Sequence, residues 1–322
     1  MNLLQHFFGK KTACKGIVGI SFLQKGIAIA ISKFTDNQNP KLIHCEFIPT
    51  KNSQDEQRVL DTQVEKFGLS EYDCYLALTS DKYRRINIEA PIVSENEISE
   101  AIRWKINDLI EFPVEKAIID FYPVPPTQRA NGHKMLEVIA SPEDQIKVQA
   151  DKCLKAGLRL KVIDIQETLL RNLAVLLPEN NRGVAILHLL ESSGTILIEK
   201  NGTIYLCRQF EIGYKKLGLD SQNSGNDDLA SLEQNNLALE IQRSLDYVES
   251  YYGIPPIFGL AIIPLAKHTQ KLLDILNKNH GITARIMDLS AIVDSDILLD
   301  DTTQSHCSPV IGATLRNFVA AL

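Results

Sequence analysis

The chain has 322 residues, 44% of them hydrophobic and 23% charged, with a formal net charge of −6 and a pI near 5.7. This is the composition of an ordinary soluble globular protein with room for two domains, and it excludes the basic footprint of a nucleic-acid binder. Six scattered cysteines (14, 45, 74, 153, 207 and 307) show no Cys-x-x-Cys spacing, so they predict neither a zinc centre nor a thioredoxin-type motif, but thiols of a reducing cytoplasm.

In chain order, "MNLLQHFFGKK" places Leu3, Leu4, Phe7 and Phe8 before its lysines, the reverse of a signal peptide. It reads as a start that packs partly on the domain, or that touches a partner or a membrane. The longest apolar stretch, 16–31, is too short for a span and holds Gln24 and Lys25. A cytoplasmic location is expected. Two apolar runs around Gly26 predict a β-hairpin, and "PKLIHCEFIPT" a third strand across a turn at 35–40. Residues 54–67 have helical apolar spacing. "YDCYLALT" and "YRRINIEA" alternate as strands.

Ser94 and Glu97 form a capping box, with Val93 and Ile98 placed as a hydrophobic staple. Ile98, Ile102, Ile106 and Leu109 then share one helical face, and Phe112-Pro113 ends the segment. A hairpin turning at Asn131-Gly132, a helix from Ser141-Pro142 to Gly157 and the strand "LRLKVIDI" complete an α-β-β-α-β unit over 91–165. Helix 166–182 leads to three more strands with tight turns, an echo of the opening three and a sign of duplication. A polar loop from Asp220 to Asp228, a long helix, two further strands with a helix between them, and a closing helix at 309–322 complete the chain. This order of two α/β halves predicts an actin-like (ribonuclease H-like) ATPase fold. The first half takes 1–90 and 166–182, the inserted subdomain 91–165, and the second half 183–308, while the closing helix packs back on the first half.

Three segments carry a family resemblance. "EAIRWKINDLIEFPVEKAIIDFYPV" supplies Ala101, Ile102, Arg103, Trp104, Phe112, Pro113, Asp120 and Phe121. "ALEIQRSLDYV" (238–248) and "VIGATLR" (310–316) follow in order. Together they resemble the PilM family, actin-like cytoplasmic proteins of type IV pilus machines. The resemblance implies a groove for the cytoplasmic N-terminal tail of a PilN-like inner-membrane protein. In the mannose-sensitive haemagglutinin (MSHA) pilus branch that protein is MshJ. Partner-binding candidates on this basis are Arg103, Trp104, Phe112 and Pro113. Trp104 points away from the apolar face of its helix. It is expected either to pack on the neighbouring subdomain, the favoured placing, or to line the groove. Arg103 is read as meeting a partner carboxylate or carbonyl, or as a solvated charge.

An actin-like ATPase holds phosphate and Mg²⁺ in two Asp-x-Gly turns, where glycine lets backbone N–H groups approach phosphate. Here the first turn places Ser21 and Leu23 at those positions, and the second His188 and Leu190. No Asp-x-Gly occurs, and none of the 17 glycines adjoins another. The region of the adenine loop, 262–265, lacks Gly-Gly. No catalytic, metal or cofactor site is therefore expected. ATP and Mg²⁺ enter the reading only if the degenerate cleft still binds them. His188 reads as a satisfied buried histidine. The pairs His44-Cys45 and His306-Cys307 would make a metal site only by meeting in space, and Asp227-Asp228 and Asp300-Asp301 read as solvated loop charges. The leading expectation is a non-catalytic pilus-assembly scaffold. The alternatives are a nucleotide-binding actin-like ATPase of pilus or type II secretion machinery with a divergent site, and a polymerising filament protein.

Overall fold

The structure is a computed structural model and describes residues 14–35, 39–127, 134–219, 227–257, 259–279 and 282–320. The apolar residues Leu3, Leu4, Phe7 and Phe8, the Asn131-Gly132 turn and most of the polar loop from Asp220 lie outside the described residues, as does the centre of the turn at 35–40.

The opening hairpin joins β1 (Gly16–Leu23) to β2 (Gly26–Phe34), and Leu23 pairs with Gly26 around a Gln24-Lys25 turn. Both strands are buried almost throughout, which is why their sequences are continuous apolar runs and not alternating ones. β3 (Pro40–Pro49) extends the meander. α1 (Ser53–Phe67) is capped by the Asn52 side chain, which accepts from the N–H groups of Gln54 and Asp55, and is ended by Gly68 at φ 62°. β4 (Asp73–Leu78) lies parallel to β1. Next come β5 (Arg84–Glu89), α2 (Ile98–Ile106), β6 (Ala117–Pro123), β7 (Met135–Pro142), α3 (Glu143–Lys155), β8 (Arg159–Ile165) and α4 (Gln166–Ala174). The rest is β9 (Val184–Leu189), β10 (Gly194–Lys200), β11 (Thr203–Phe210), α5 (Asp227–Tyr252), β12 (Leu260–Ile262), α6 (Thr269–Asn279), β13 (Ala284–Ile286), α7 (Leu289–Ile292), α8 (Asp301–Thr314) and α9 (Arg316–Val319).

Two five-stranded sheets have the same topology, β3-β2-β1-β4-β8 and β11-β10-β9-β12-β13. Each is an antiparallel meander whose first strand takes a parallel neighbour on its free side. The resemblance between the two opening meanders is thus a structural duplication. A third sheet, β5-β7-β6, is antiparallel. α2 covers one of its faces, burying Ile102 and Ile106 against Ile88, Leu136, Val138 and Ala140.

The inserted unit differs from the expected α-β-β-α-β at both ends. It gains β5, which pairs with β7. It gives up α3, whose Ile146 and Cys153 enter the core of the first half, and β8, which pairs parallel with β4. Strand periodicity identifies a strand but not its neighbour.

The closing helix also starts earlier than expected. α8 begins at Asp301, eight residues before Pro309, and its N-cap Asp300 accepts from the Thr303 N–H at 2.7 Å. Asp300 is therefore a helix cap, and Asp301 accepts from the Thr269 hydroxyl at 3.1 Å; neither is a free loop charge. Asp227 and Asp228 likewise open α5. α8 packs across β1 to β4 and along α4. The approach is close: a Cβ on Gly312 would stand 2.2 Å from the Leu169 carbonyl oxygen, and one on Gly19 2.3 Å from that of Val310. Arg316, from the last family-like segment, pairs with Asp164 at the end of β8.

Candidate functional site

The β1–β2 turn and the end of β9 face a common cavity of about 750 Å³ between the two halves, whose lining includes Ser21, Leu23, Lys25, His188, Leu190 and Glu191. These are the positions where an actin-like ATPase would carry its phosphate turns. Most of them have another engagement.

Ser21 is 2% exposed, and its hydroxyl donates to the Ala77 carbonyl at 2.9 Å, tying β1 to β4. Leu23 packs half-buried against the central core. Leu190 stands at the cavity surface, 38% exposed. The stretch expected near the adenine is core: Ile262, Ile263 and Leu265 are buried, and the Leu265 N–H donates to the Thr269 hydroxyl at 3.1 Å.

His188 shows how the site is filled. Pro309 has no N–H, so the helical acceptor four residues back, the Ser305 carbonyl, lacks its usual donor. The Nε2 of His188 lies 3.4 Å from that oxygen, and its Nδ1 lies 2.9 Å from the Gln166 amide nitrogen. The neutral Nε2–H tautomer satisfies both contacts, donating to Ser305 and accepting from Gln166. Burial accordingly holds the His188 pKa down, to about 4. The imidazole joins β9, α4 and α8 and stays uncharged near pH 7.

Glu191, just after β9, closes the cleft electrostatically. It pairs with Lys215 and with Lys25 of the opposite turn. Hydrogen bonds from Lys215 and Lys25 pull its pKa down to about 2. The two turns that would flank a phosphate are thus linked by a carboxylate between two ammonium groups.

Of the four residues expected at a partner groove, two face solvent. Trp104, the chain's single tryptophan, is 77% exposed on α2. It does not pack on the neighbouring subdomain, the favoured expectation: its direction on the helix was legible, but the neighbouring surface does not reach it. Pro113 is exposed. Phe112 is half-buried in the unit's own core. Arg103 is half-buried, and its guanidinium donates through Nη1 to the carbonyls of Val114 at 2.8 Å and Ala117 at 3.1 Å. It fastens the segment after Phe112-Pro113 to α2. The capping box is half realised: the Ser94 N–H and hydroxyl both donate to the Glu97 carboxylate, at 3.2 and 2.7 Å. Val93 is 45% exposed and makes no staple, and Leu109 lies in a 3₁₀ turn beyond α2, 57% exposed.

The His-Cys pairs meet through their thiols alone. Cys45 lies against Cys307, and that contact together with burial pushes its pKa up. His306 stacks on Phe47 at 4.2 Å, while His44 lies against Phe67. No three metal-ligating side chains converge among the described residues.

One cluster had no sequence signal. Glu167, fully buried on α4, accepts from the Tyr83 hydroxyl at 2.5 Å, Gln209 at 3.3 Å and Arg85 at 3.4 Å. Arg85 also donates to Glu137 at 3.0 Å and to the Cys207 carbonyl at 3.1 Å. Its members come from the first half, the third sheet and β11, so this charge network joins the inserted unit to both halves. A carboxylate one residue into α4 reads as a surface helix charge until the third sheet is placed over it.

Comparison with known proteins follows the same outline. A family model described as "Type IV pilus assembly protein PilM" matches residues 47–223. A structure of the PilM-PilN type IV pilus biogenesis complex superimposes with a TM-score of 0.68 at 18% identity, covering 94% of this chain and 98% of that one. A Bacteroides thetaiotaomicron protein with an actin-like ATPase fold gives a TM-score of 0.50 at 12% identity over 89% of this chain and 95% of that one. The cytoplasmic domain of EpsL, from the type II secretion system of Vibrio cholerae, gives 0.49 at 13% identity over 95% and 94%. No curated protein matches the sequence. The fold is the actin-like ATPase fold.

Proposed function

Because the chain belongs to the PilM family of type IV pilus assembly proteins, we propose that it is a non-catalytic cytoplasmic scaffold of a pilus biogenesis complex. In this reading it binds the cytoplasmic N-terminal tail of a PilN-like inner-membrane protein. A PilM-PilN complex exists for a protein of the same fold. Among the described residues no helix is long and apolar enough to cross a membrane.

The observation that carries the non-catalytic reading is the state of the two phosphate turns. Leucine stands at both glycine positions, His188 is consumed by Ser305 and Gln166, and Glu191 ties Lys25 to Lys215. A phosphate entering there would meet the Glu191 carboxylate and displace it from two lysines. Loss of the phosphate turns also favours the MSHA branch, in which the similar protein is MshI and the tail is that of MshJ. Trp104 and Pro113 are the exposed residues proposed for the groove, since an accessible aromatic is a usual anchor.

Calorimetric titration with Mg-ATP and with a synthetic peptide of the partner tail tests both halves of the proposal. The expected result is heat from the peptide and none from the nucleotide. Micromolar Mg-ATP binding would bring forward the divergent ATPase reading. Absence of peptide binding would remove the scaffold reading.

A further inference from the structure

The first sheet is faced by helices on both sides, and on each side a thiol of the sheet meets a thiol of a helix. On one face, α8 lays Cys307 in the central core, and Cys45 of β3 packs against that core. On the other face, α3 sets Cys153 beside Cys74 of β4. Within each pair the thiols are close enough for one to donate to the other. Around Cys45 and Cys307 the packing of their neighbours holds the match independently. Phe47, on the same face of β3, stacks on His306 with ring centroids 4.2 Å apart and planes 16° apart. Further along the helix, α8 runs so near β1 and α4 that a Cβ has no room at Gly19 or Gly312. The helix therefore cannot slide along the sheet, and the two sulfurs keep their register.

The two pairs differ in access. Cys74 and Cys153 are both fully buried, whereas Cys45 is only partly buried and covers a fully buried Cys307. Phe47 and His306 also line the cavity between the halves, so the pair lies behind a wall of the cleft. From this we infer that Cys45 and Cys307 are a modification site, at which a small-molecule disulfide such as oxidised glutathione forms a disulfide that staples β3 to α8.

The exchange runs in two steps. The Cys45 thiol gives its proton to water, and its sulfur attacks one sulfur of the glutathione disulfide. A mixed disulfide forms and one glutathione thiolate leaves. Cys307, deprotonated in turn, attacks the Cys45 sulfur and expels the second glutathione thiolate. The two protein thiols lose two electrons, and these reduce one glutathione disulfide to two thiols, which take up the two protons. The neighbouring Cys307 thiol and burial hold Cys45 in its protonated form, so the exchange is slow and its extent follows the thiol–disulfide poise of the surroundings. The link would close a loop from residue 45 to residue 307, and closing a loop that long restricts the unfolded chain most. The reduced protein can part β3 from α8 in a local opening, and the oxidised protein cannot. The site lies in the first half and does not depend on the tail groove proposed for the inserted unit.

The test uses the full chain, first reduced and then held to equilibrium in millimolar oxidised glutathione. After denaturation and alkylation, mass spectrometry should find the peptides of Cys45 and Cys307 linked, and Cys14, Cys74, Cys153 and Cys207 alkylated. The oxidised protein should unfold at a higher urea concentration than the reduced protein, and dithiothreitol should reverse the shift. Cys45→Ser and Cys307→Ala should each abolish both the link and the shift, and the second variant stands in if the first does not fold. Cys153→Ala, which breaks the other pair, should keep both. A persistent glutathione adduct on Cys45 would overturn the proposal, as would a Cys74–Cys153 link formed in place of the expected one. So would a disulfide between two chains, alkylation of all six cysteines, or a Cys45–Cys307 link that leaves the urea midpoint unchanged.

Discussion

Glu199 and His188 are both buried, and they respond to pH in opposite senses. One carboxylate oxygen of Glu199 accepts from the Gly202 N–H at 2.9 Å, the other has no partner, and burial pushes the pKa up to about 7 from an ordinary 4.5. Burial holds His188 at about 4 against an ordinary 6.5. Between about pH 4.5 and 6.5 the folded chain keeps the Glu199 proton that the unfolded chain releases, so this group's contribution falls as pH rises. Over the same range the unfolded chain binds a proton at His188 that the folded chain refuses, so that contribution rises with pH. The two slopes nearly cancel. Glu199→Gln should unmask the histidine: relative to wild type, its stability should rise with pH by about 1.4 kcal/mol per unit. Urea unfolding at several pH values measures this, and a pH-independent difference would mean that Glu199 ionises normally in the fold. Arg85 is a second residue with a large expected effect. Arg85→Ala would leave Glu167 and Glu137 without their cation and should cost about 3–5 kcal/mol, read as a shift in the denaturation midpoint. Neither effect was visible in the chain. Glu167 and Glu199 look like any helix or turn carboxylate until long-range packing buries them, whereas His188, on a wholly apolar strand, was legible as a satisfied core histidine.

On α2, two adjacent residues should separate stability from binding. Arg103→Ala removes two hydrogen bonds from a charged donor to internal carbonyls and should destabilise by about 1.5–3 kcal/mol. Trp104→Ala removes an exposed side chain and should leave stability within about 0.5 kcal/mol, while weakening the proposed partner tail. Thermal melts of the two variants, paired with peptide titration, make the comparison. Loss of stability in Trp104→Ala would show that the ring supports the fold. The α4–α8 crossing yields another prediction. Gly312→Ala forces a Cβ against the Leu169 carbonyl and should cost about 1–3 kcal/mol, measurable by chemical denaturation. Elements built on local signals were readable: the opening hairpin from its apolar runs, α1 from its spacing, and Gly157 as a stop. Helix ends governed by distant contacts were not. Pro309 read as a first helical residue, as proline usually does, but it lies within α8 because its missing donor leaves a carbonyl that His188 takes up.

The whole molecule is a duplicated pair of sheets with a charged link across the cleft. If the cleft bound Mg-ATP with micromolar affinity, millimolar nucleotide would stabilise the fold by about 4 kcal/mol. The expected outcome is an unchanged melting temperature with and without Mg-ATP. The link from Lys25 through Glu191 to Lys215 is partly exposed, so raising the ionic strength should loosen the cleft without unfolding either half. Limited proteolysis across a salt series would detect this as faster cleavage at the turns. The duplication and the fold class were legible from element order, and the inserted unit's outer boundaries were not, because β5 and β8 each chose a sheet that alternation does not name. The placement of α8 has a consequence in time. β1 to β4 are complete by residue 78, yet the helix that covers them starts at residue 301. A ribosome moving at roughly 5–20 residues per second delivers that cover about 10–45 s later. Until that helix is made, the sheet face that it covers stays bare of it, and chaperones have a defined surface to hold.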